Sequence, residues 1–120
     1  MNKWIQIKRD LWDESPAGQP VCRICRKAGA TQLHHGIYPK GTLRNRKWHK
    51  YIDNKMNAIE VCDQCHDNLP KGARQICYQV NFDRYRGEFL SWIQDMHTLL
   101  RLEDNYEGEE RLCTHDYQLQ

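Results

Sequence analysis

Two pairs of cysteines with the same short spacing are the residues of this chain best suited to chemistry. They are Cys22 with Cys25, and Cys62 with Cys65. Two residues between cysteines let both thiolates of a pair point at one ion, and two such pairs complete the tetrahedral sulfur shell of structural zinc. A thioredoxin-like dithiol needs one pair beside a βαβ pattern, which this chain lacks. The spacing therefore predicts one structural Zn²⁺ ion held by all four cysteines.

Three histidines and one asparagine lie between or directly beside these pairs. His34 and His35 are adjacent, and Asn57 follows them in the same segment. His66 comes immediately after the second cysteine pair. Because adjacent side chains on a strand point to opposite faces, one of the two neighbouring histidines can bind a metal ion while the other addresses a different atom.

Together these residues closely resemble the HNH nuclease family, whose core is a ββα-metal, or His-Me, finger. The family pattern is a CxxC pair, a strand ending in an acid-His or His-His pair, a loop, and an Asn separated by four residues from a final CxxCH. In this chain the pattern covers residues 22–70, and a looser likeness to small phage-type members continues beyond it. The resemblance implies an α+β fold: a small zinc-bound ββα-metal finger of the zinc-ribbon subtype.

The resemblance also implies a role for each histidine. His35 would be the general base, since an imidazole that titrates near neutrality can take a proton from water attacking a phosphodiester. His34 and His66 would hold one catalytic divalent ion, either Mg²⁺ or a transition ion such as Mn²⁺ or Ni²⁺. Asn57 would hold the finger loop and orient His35. Many members carry an acid where this chain has His34, so the resemblance leaves the identity of the ion open.

The activity implied is metal-dependent hydrolysis of DNA, as nicking or double-strand cleavage, in the cytoplasm of a bacterium or a phage-infected host. Two alternatives stay open at this point. One is a zinc finger that binds nucleic acid without cutting it, and the other is a phage structural or assembly protein with zinc as a staple. DNA is the expected partner, and a homodimer or a phage protein is an open second one.

The charge of the chain is distributed unevenly. Residues 1–102 hold 17 Lys and Arg against 10 Asp and Glu, whereas residues 103–120 hold one Arg against six acids. Basic side chains concentrate between the histidine pair and the second cysteine pair, where they predict contacts with DNA phosphates. These candidate DNA-binding residues are Lys40, Arg44, Arg46, Lys47, Lys50 and Lys55.

The elements that must position these groups can be predicted from apolar patterning. Residues 30–38 and 57–62 indicate two strands, and a short helix is expected from Asp63 to Pro70. Residues 5–12 indicate a short strand running into a helical turn, and 40–56 indicate an exposed loop. We expect a single domain, 1–102, since the chain is too short for much more.

The C-terminal part of this domain predicts an amphipathic helix over 81–102, with Asn81 as its N-cap and an aromatic stripe that faces the core. Cys77 is expected to be a small core residue. Residues 103–120 lack periodicity and are expected to form a mobile acidic tail. No apolar run approaches the ~18 residues of a membrane span, and no secretory signal is evident, which favours a reducing compartment where clustered cysteines bind metal.

Overall fold

The computed structural model describes residues 2–41 and 46–101, which form a small α+β structure of helices around a two-stranded sheet. The elements are α1 Lys3–Glu14, β1 Gln32–His35, α2 Arg46–Ile52, β2 Ala58–Val61, α3 Asp63–Asp67, α4 Ala73–Tyr85 and α5 Gly87–Arg101, with single 3-10 turns at Pro16–Gly18 and Lys55–Asn57. None of the helices within these two ranges is both long and apolar enough to cross a membrane. The predicted acidic tail, 103–120, lies outside the described residues.

The sheet is one antiparallel pair, β1 with β2, in which His35 is opposite Ala58 and His34 is opposite Ile59. Both strands lie within the segments predicted from the sequence, 30–38 and 57–62, so these two predictions are confirmed. Directly after His35, the chain turns at Gly36, whose N–H donates to the carbonyl of Asn57 over 2.8 Å. The histidine pair is therefore held at the very end of the strand.

The larger hydrophobic core lies between β2 and the two C-terminal helices. Ile59 and Val61 of β2 are fully buried there, and Cys77 of α4 is fully buried beside them, as predicted. The apolar stripe of α5 completes this core with four buried side chains, namely Phe89, Ile93, Met96 and Leu100. The interpretation of the aromatic stripe as core is confirmed.

The N-terminal segment is helical, so the prediction of a strand over 5–12 is wrong. The side chain of Asn2 caps α1 by accepting hydrogen bonds from the N–H groups of Trp4 and Ile5. Trp4, Ile7 and Leu11 follow spacings of three and four, which places them on one face of a helix. This face packs against Leu33 of β1 and Ala58 of β2 in a second, smaller core.

The segment 40–56 is not the exposed loop that its basic residues suggested. Its last part forms α2 and a 3-10 turn, and it buries Trp48, Ile52 and Met56 in the larger core. These three side chains are spaced by four residues, so they lie on one side of the segment while its lysines point to solvent. The high content of charge concealed this pattern.

The predicted helix over 81–102 is in fact two helices, α4 and α5, which meet at Arg86. Arg86 has a left-handed φ of 52°, which ends α4, and Gly87 then begins α5. Asn81 is not an N-cap: it lies inside α4 and is fully buried. Its amide donates to the carbonyls of Met56 and Ala58, a tertiary role that has no local signal in the sequence.

Candidate metal centre and histidine site

The four cysteines of the two CxxC pairs come together as one cluster. The sulfur atoms of Cys22, Cys25, Cys62 and Cys65 all lie within 4.8 Å of one another, and no disulfide joins them. Zn–S bonds of about 2.3 Å place tetrahedral sulfur ligands about 3.8 Å apart, so a small contraction of the cluster suffices to bind an ion. These residues fit a structural zinc ion, and the site can hold one.

Each cysteine pair is shaped by its own backbone. The first lies in a hairpin turn closed by hydrogen bonds from Cys22 N to Ala28 O over 2.8 Å and from Arg26 N to Cys22 O over 3.0 Å. Arg23, within this turn, donates its N–H to the carbonyl of Glu60 on β2. The buried carboxylate of Glu60 in turn pairs with Arg23 and with Arg84 of α4. The first pair is therefore fixed against the sheet.

The second pair bridges the end of β2 and the start of α3. Cys62 is the N-cap of α3, and its sulfur accepts a hydrogen bond from the N–H of Cys65 over 3.4 Å. A sulfur that accepts an N–H is better able to carry negative charge. The helix start thus turns two thiols toward one point.

Negative charge is unevenly distributed over the four sulfurs. Burial by itself would raise the pKa of Cys22, but the backbone N–H groups of Cys25, Cys62 and Ile24 together lower this pKa to about 6. Hydrogen bonds from backbone groups of the same turn also lower the pKa of Cys25. Burial and the neighbouring sulfurs raise the pKa of Cys65 to about 12. The first pair is therefore the more readily ionised, which favours capture of a cation.

His34 points from β1 toward α3, where its ring meets the ring of His66 edge-on at 5.3 Å between centroids. The docking of α3 explains this meeting. The carboxylate of Asp63, at the first residue of α3, accepts hydrogen bonds from the hydroxyl of Thr31 over 2.6 Å and the amide of Gln32 over 2.7 Å. The structure thus brings together the two histidines that the resemblance assigned to one divalent ion.

The electrostatics of this pair favour neutral imidazoles. Burial lowers the pKa of His34 to about 4, and the positive charge that His66 and His35 can carry lowers it further in the same direction. A neutral imidazole has a lone pair for a cation at neutral pH. The pair offers two nitrogen ligands and leaves the remaining positions of an ion to water or substrate.

His35 faces the opposite side of the strand, toward α1. Its Nε2 lies 2.8 Å from Oδ1 of Asp53, and its ring stacks on Trp4 with 3.7 Å between centroids and 10° between planes. Its side chain is only 13% exposed. Burial lowers the pKa of His35, and the hydrogen bond and charge of Asp53 oppose that shift without cancelling it.

Sequence reasoning missed both partners of His35. The one signal for Asp53 is that it is the single acid among the basic residues of 40–55. An isolated carboxylate in such a segment can be retained for a specific partner. Trp4 lies 31 positions from His35, and nothing local in the sequence indicates their contact.

Asn57 occupies the centre of the finger loop. Its side-chain oxygen accepts from the N–H groups of Ile37 and Tyr38 over 2.9 and 2.8 Å. Its amide nitrogen donates to the carbonyls of Tyr38 and Ile52 over 3.0 Å each. Asn57 therefore ties the turn after His35 to the end of α2, while the hydrogen-bond partner of the His35 ring is Asp53.

The predicted DNA-binding residues are placed unequally. Lys40 is exposed and close enough to His35 for its charge to lower the pKa of that imidazole. Lys47 and Lys50 are exposed on α2. Lys55 turns toward the C-terminal helices, where it lies 4.8 Å from the ring centroid of Tyr85 and 3.8 Å from the carboxylate of Glu88. The remaining two fall at the undescribed gap: Arg44 lies outside the described residues, and of Arg46 only the backbone, at the start of α2, is described.

Comparison of this chain with protein-family models, with curated proteins and with solved structures finds no match. Any inference about function therefore depends on the geometry and chemistry of the residues themselves.

Proposed function

We propose that this protein is a metal-dependent DNA endonuclease of the HNH type, built on a zinc-stapled ββα-metal finger. The observation that carries the proposal is the arrangement at the end of β1. There the His34–His66 pair lies on one side of the strand, and His35, hydrogen-bonded to Asp53, lies on the other. Because both histidines of β1 are at the strand's last two positions, one phosphodiester lying across this end can reach both.

His35 has the properties of a general base. A carboxylate can only accept a hydrogen bond, so pairing with Asp53 places the imidazole hydrogen on Nε2 and leaves the lone pair on Nδ1. The lowered pKa keeps the ring neutral near pH 7, so that it can take a proton from an attacking water molecule. Asp53 then faces the positive charge that develops on the ring. This division of roles is the one found in Asp-His pairs of hydrolytic enzymes.

His34 and His66 would hold the catalytic divalent cation. Such an ion neutralises the scissile phosphate and stabilises the leaving oxygen. Two imidazoles favour transition ions such as Mn²⁺ or Ni²⁺ over Mg²⁺. The four-cysteine site has a separate task, since it holds the first cysteine turn and the start of α3 at the distance that sets His66 beside His34.

Plasmid nicking tests the proposal most directly. Zinc-loaded protein is incubated with supercoiled plasmid and Mg²⁺, Mn²⁺ or Ni²⁺, with and without EDTA. Nicking should depend on the added ion, and His35→Ala should lower its rate by about 10²–10⁴-fold while zinc content and DNA binding persist. His97→Gln is the matched control, because His97 lies on α5 and outside the finger.

Three results would count against the proposal. Nicking by His35→Ala at the wild-type rate would remove His35 from the mechanism. DNA binding without cleavage by the wild type would favour the nucleic-acid-binding module. Neither binding nor cleavage would favour a structural protein in which zinc is only a staple.

A further inference from the structure

The helix α1 precedes the finger, which covers residues 22–70, and yet it supplies one wall of the histidine site. We propose that Trp4 of α1 is a positioning residue for His35, so that α1 belongs to the active site. This inference rests on the proposed nuclease function and extends it to a part of the chain that the finger motif does not cover.

Two contacts are needed to fix the orientation of the His35 ring. The hydrogen bond from Nε2 to Asp53 holds one ring atom in place over 2.8 Å, but the ring can still rotate about the direction of this bond. The nearly parallel stack on Trp4, 3.7 Å away and tilted by only 10°, fixes the plane of the ring. With both contacts present, the direction of the Nδ1 lone pair is determined.

Trp4 is itself firmly held. Its indole N–H donates to the carbonyl of Leu33 over 3.3 Å, and its own backbone N–H donates to the side chain of Asn2 over 2.7 Å. Leu33 lies two residues before His35, on the same face of β1. The indole is therefore tied to the strand that carries the base, and movement of α1 along the strand is restrained.

The packing of α1 reinforces this link. Leu11 and Ile7 pack against Leu33 and Ala58, and Ala58 is the residue directly opposite His35 in the sheet. Thus α1 contacts both strands at the positions next to the base. A helix that served only to cover the sheet would need the aliphatic contacts alone; the stack on an imidazole is an additional feature.

The expected benefit is geometric. An imidazole that is free to rotate loses side-chain entropy when it must align with a water molecule, whereas a stacked one has lost that entropy on folding. Small errors in the placement of a catalytic group can cost up to about 10²-fold in rate. Trp4 should therefore affect the chemical step more than the binding of DNA.

The first arm of the test is kinetic. Zinc-loaded Trp4→Ala should lower the kcat of nicking by about 10-fold or more with little change in KM. Trp4→Phe retains a flat ring and should recover most of the lost kcat. Trp12→Ala is the matched control: Trp12 belongs to the same helix and packs against the same small core, but it does not stack on His35. Wild-type kcat in Trp4→Ala, or an equal loss in Trp4→Ala and Trp12→Ala, would overturn the inference.

The second arm reports the stack without reference to activity. The carbon-bound ring protons of His35 should show NMR signals displaced upfield by the indole ring current. This displacement should vanish in Trp4→Ala and persist in Trp12→Ala. A wild-type protein that cuts DNA but lacks the displacement would refute the role of Trp4 alone. A wild-type protein that cuts no DNA would instead refute the proposed function, and with it the catalytic consequence of the stack.

Discussion

The side chain of Asn81 on α4 donates to the carbonyls of Met56 and Ala58, the two residues that flank Asn57. The distances are 3.0 and 2.9 Å, and both asparagines are fully buried. Asn57 in turn holds the loop after the histidine pair through four hydrogen bonds. Two buried amides on different elements thus fix one short segment, and this segment determines where β1 ends.

Asn57→Ala should strongly destabilise the protein. The substitution leaves the buried N–H groups of Ile37 and Tyr38 without their acceptor and the carbonyl of Ile52 without its donor. Each such loss costs about 1–3 kcal/mol when water cannot replace the partner. We expect the free energy of unfolding, measured with denaturant on zinc-loaded protein, to fall by several kcal/mol. Asn68→Ala is the control, since Asn68 is exposed and bonds only over 3.3 Å to Gln64.

A double-mutant cycle distinguishes a shared role from two separate ones. If Asn57 and Asn81 stabilise the same segment, Asn57→Ala combined with Asn81→Ala should cost less than the sum of the two single changes. A coupling of about 0.5–3 kcal/mol is typical of residues in one hydrogen-bond network. Strict additivity would mean that the two amides act independently.

The features that could be predicted from the sequence are those with a local signal. The CxxC spacing located the four-cysteine cluster, and alternation located both strands. The Asp53–His35 hydrogen bond spans 18 positions, and no short-range pattern marks it. Asn81 precedes an apolar run, which is typical of an N-cap, but a buried acceptor pair on another element makes the same residue a tertiary contact instead.

Gly36→Ala should disturb the site from the opposite direction. A β-carbon at Gly36 would lie 2.3 Å from the sulfur and 2.6 Å from the β-carbon of Cys77, so β1 and α4 would have to separate. Overpacking of this kind costs about 1–3 kcal/mol. Adding Cys77→Ala should restore part of the loss but not all of it, because the clash with the β-carbon remains. Gly87→Ala, with open space around it, should leave thermal stability near the wild-type value.

Zinc should be bound by four cysteines and not by the fifth described one. Native mass spectrometry should find one zinc ion per chain in the wild type and in Cys77→Ala, and little or none in Cys65→Ser. Because binding energy is folding energy in small zinc domains, chelation should also abolish the cooperative unfolding transition. A folded protein that retains its full transition after complete zinc removal would contradict this expectation.

Acid should destabilise the protein through the histidine pair of β1. Burial lowers the pKa of His34 to about 4 and also lowers that of His35, so the unfolded chain binds more protons than the folded one between about pH 6.5 and pH 4. The free energy of unfolding must then fall as the pH falls through this range. Denaturant titrations of zinc-loaded protein between pH 7 and pH 5 should show a shallower dependence for His34→Asn than for the wild type. Parallel dependences would mean that His34 is not kept neutral by burial.

The lysines of α2 should contribute to DNA affinity more than Lys55. Lys47 and Lys50 are exposed on the helix that leads to Asp53, whereas Lys55 lies against Tyr85 and beside Glu88. Each lysine that neutralises a phosphate adds about 0.9 to the slope of log affinity against log salt. We therefore expect Lys47→Gln and Lys50→Gln each to reduce that slope by about 1 and to weaken binding uniformly across sequences, while Lys55→Gln leaves it unchanged. Salt-titrated binding of a labelled duplex measures the three slopes side by side. A reduction for Lys55→Gln equal to that of the α2 lysines would mean that DNA reaches the C-terminal helices as well, and the interface would have to be extended to that face.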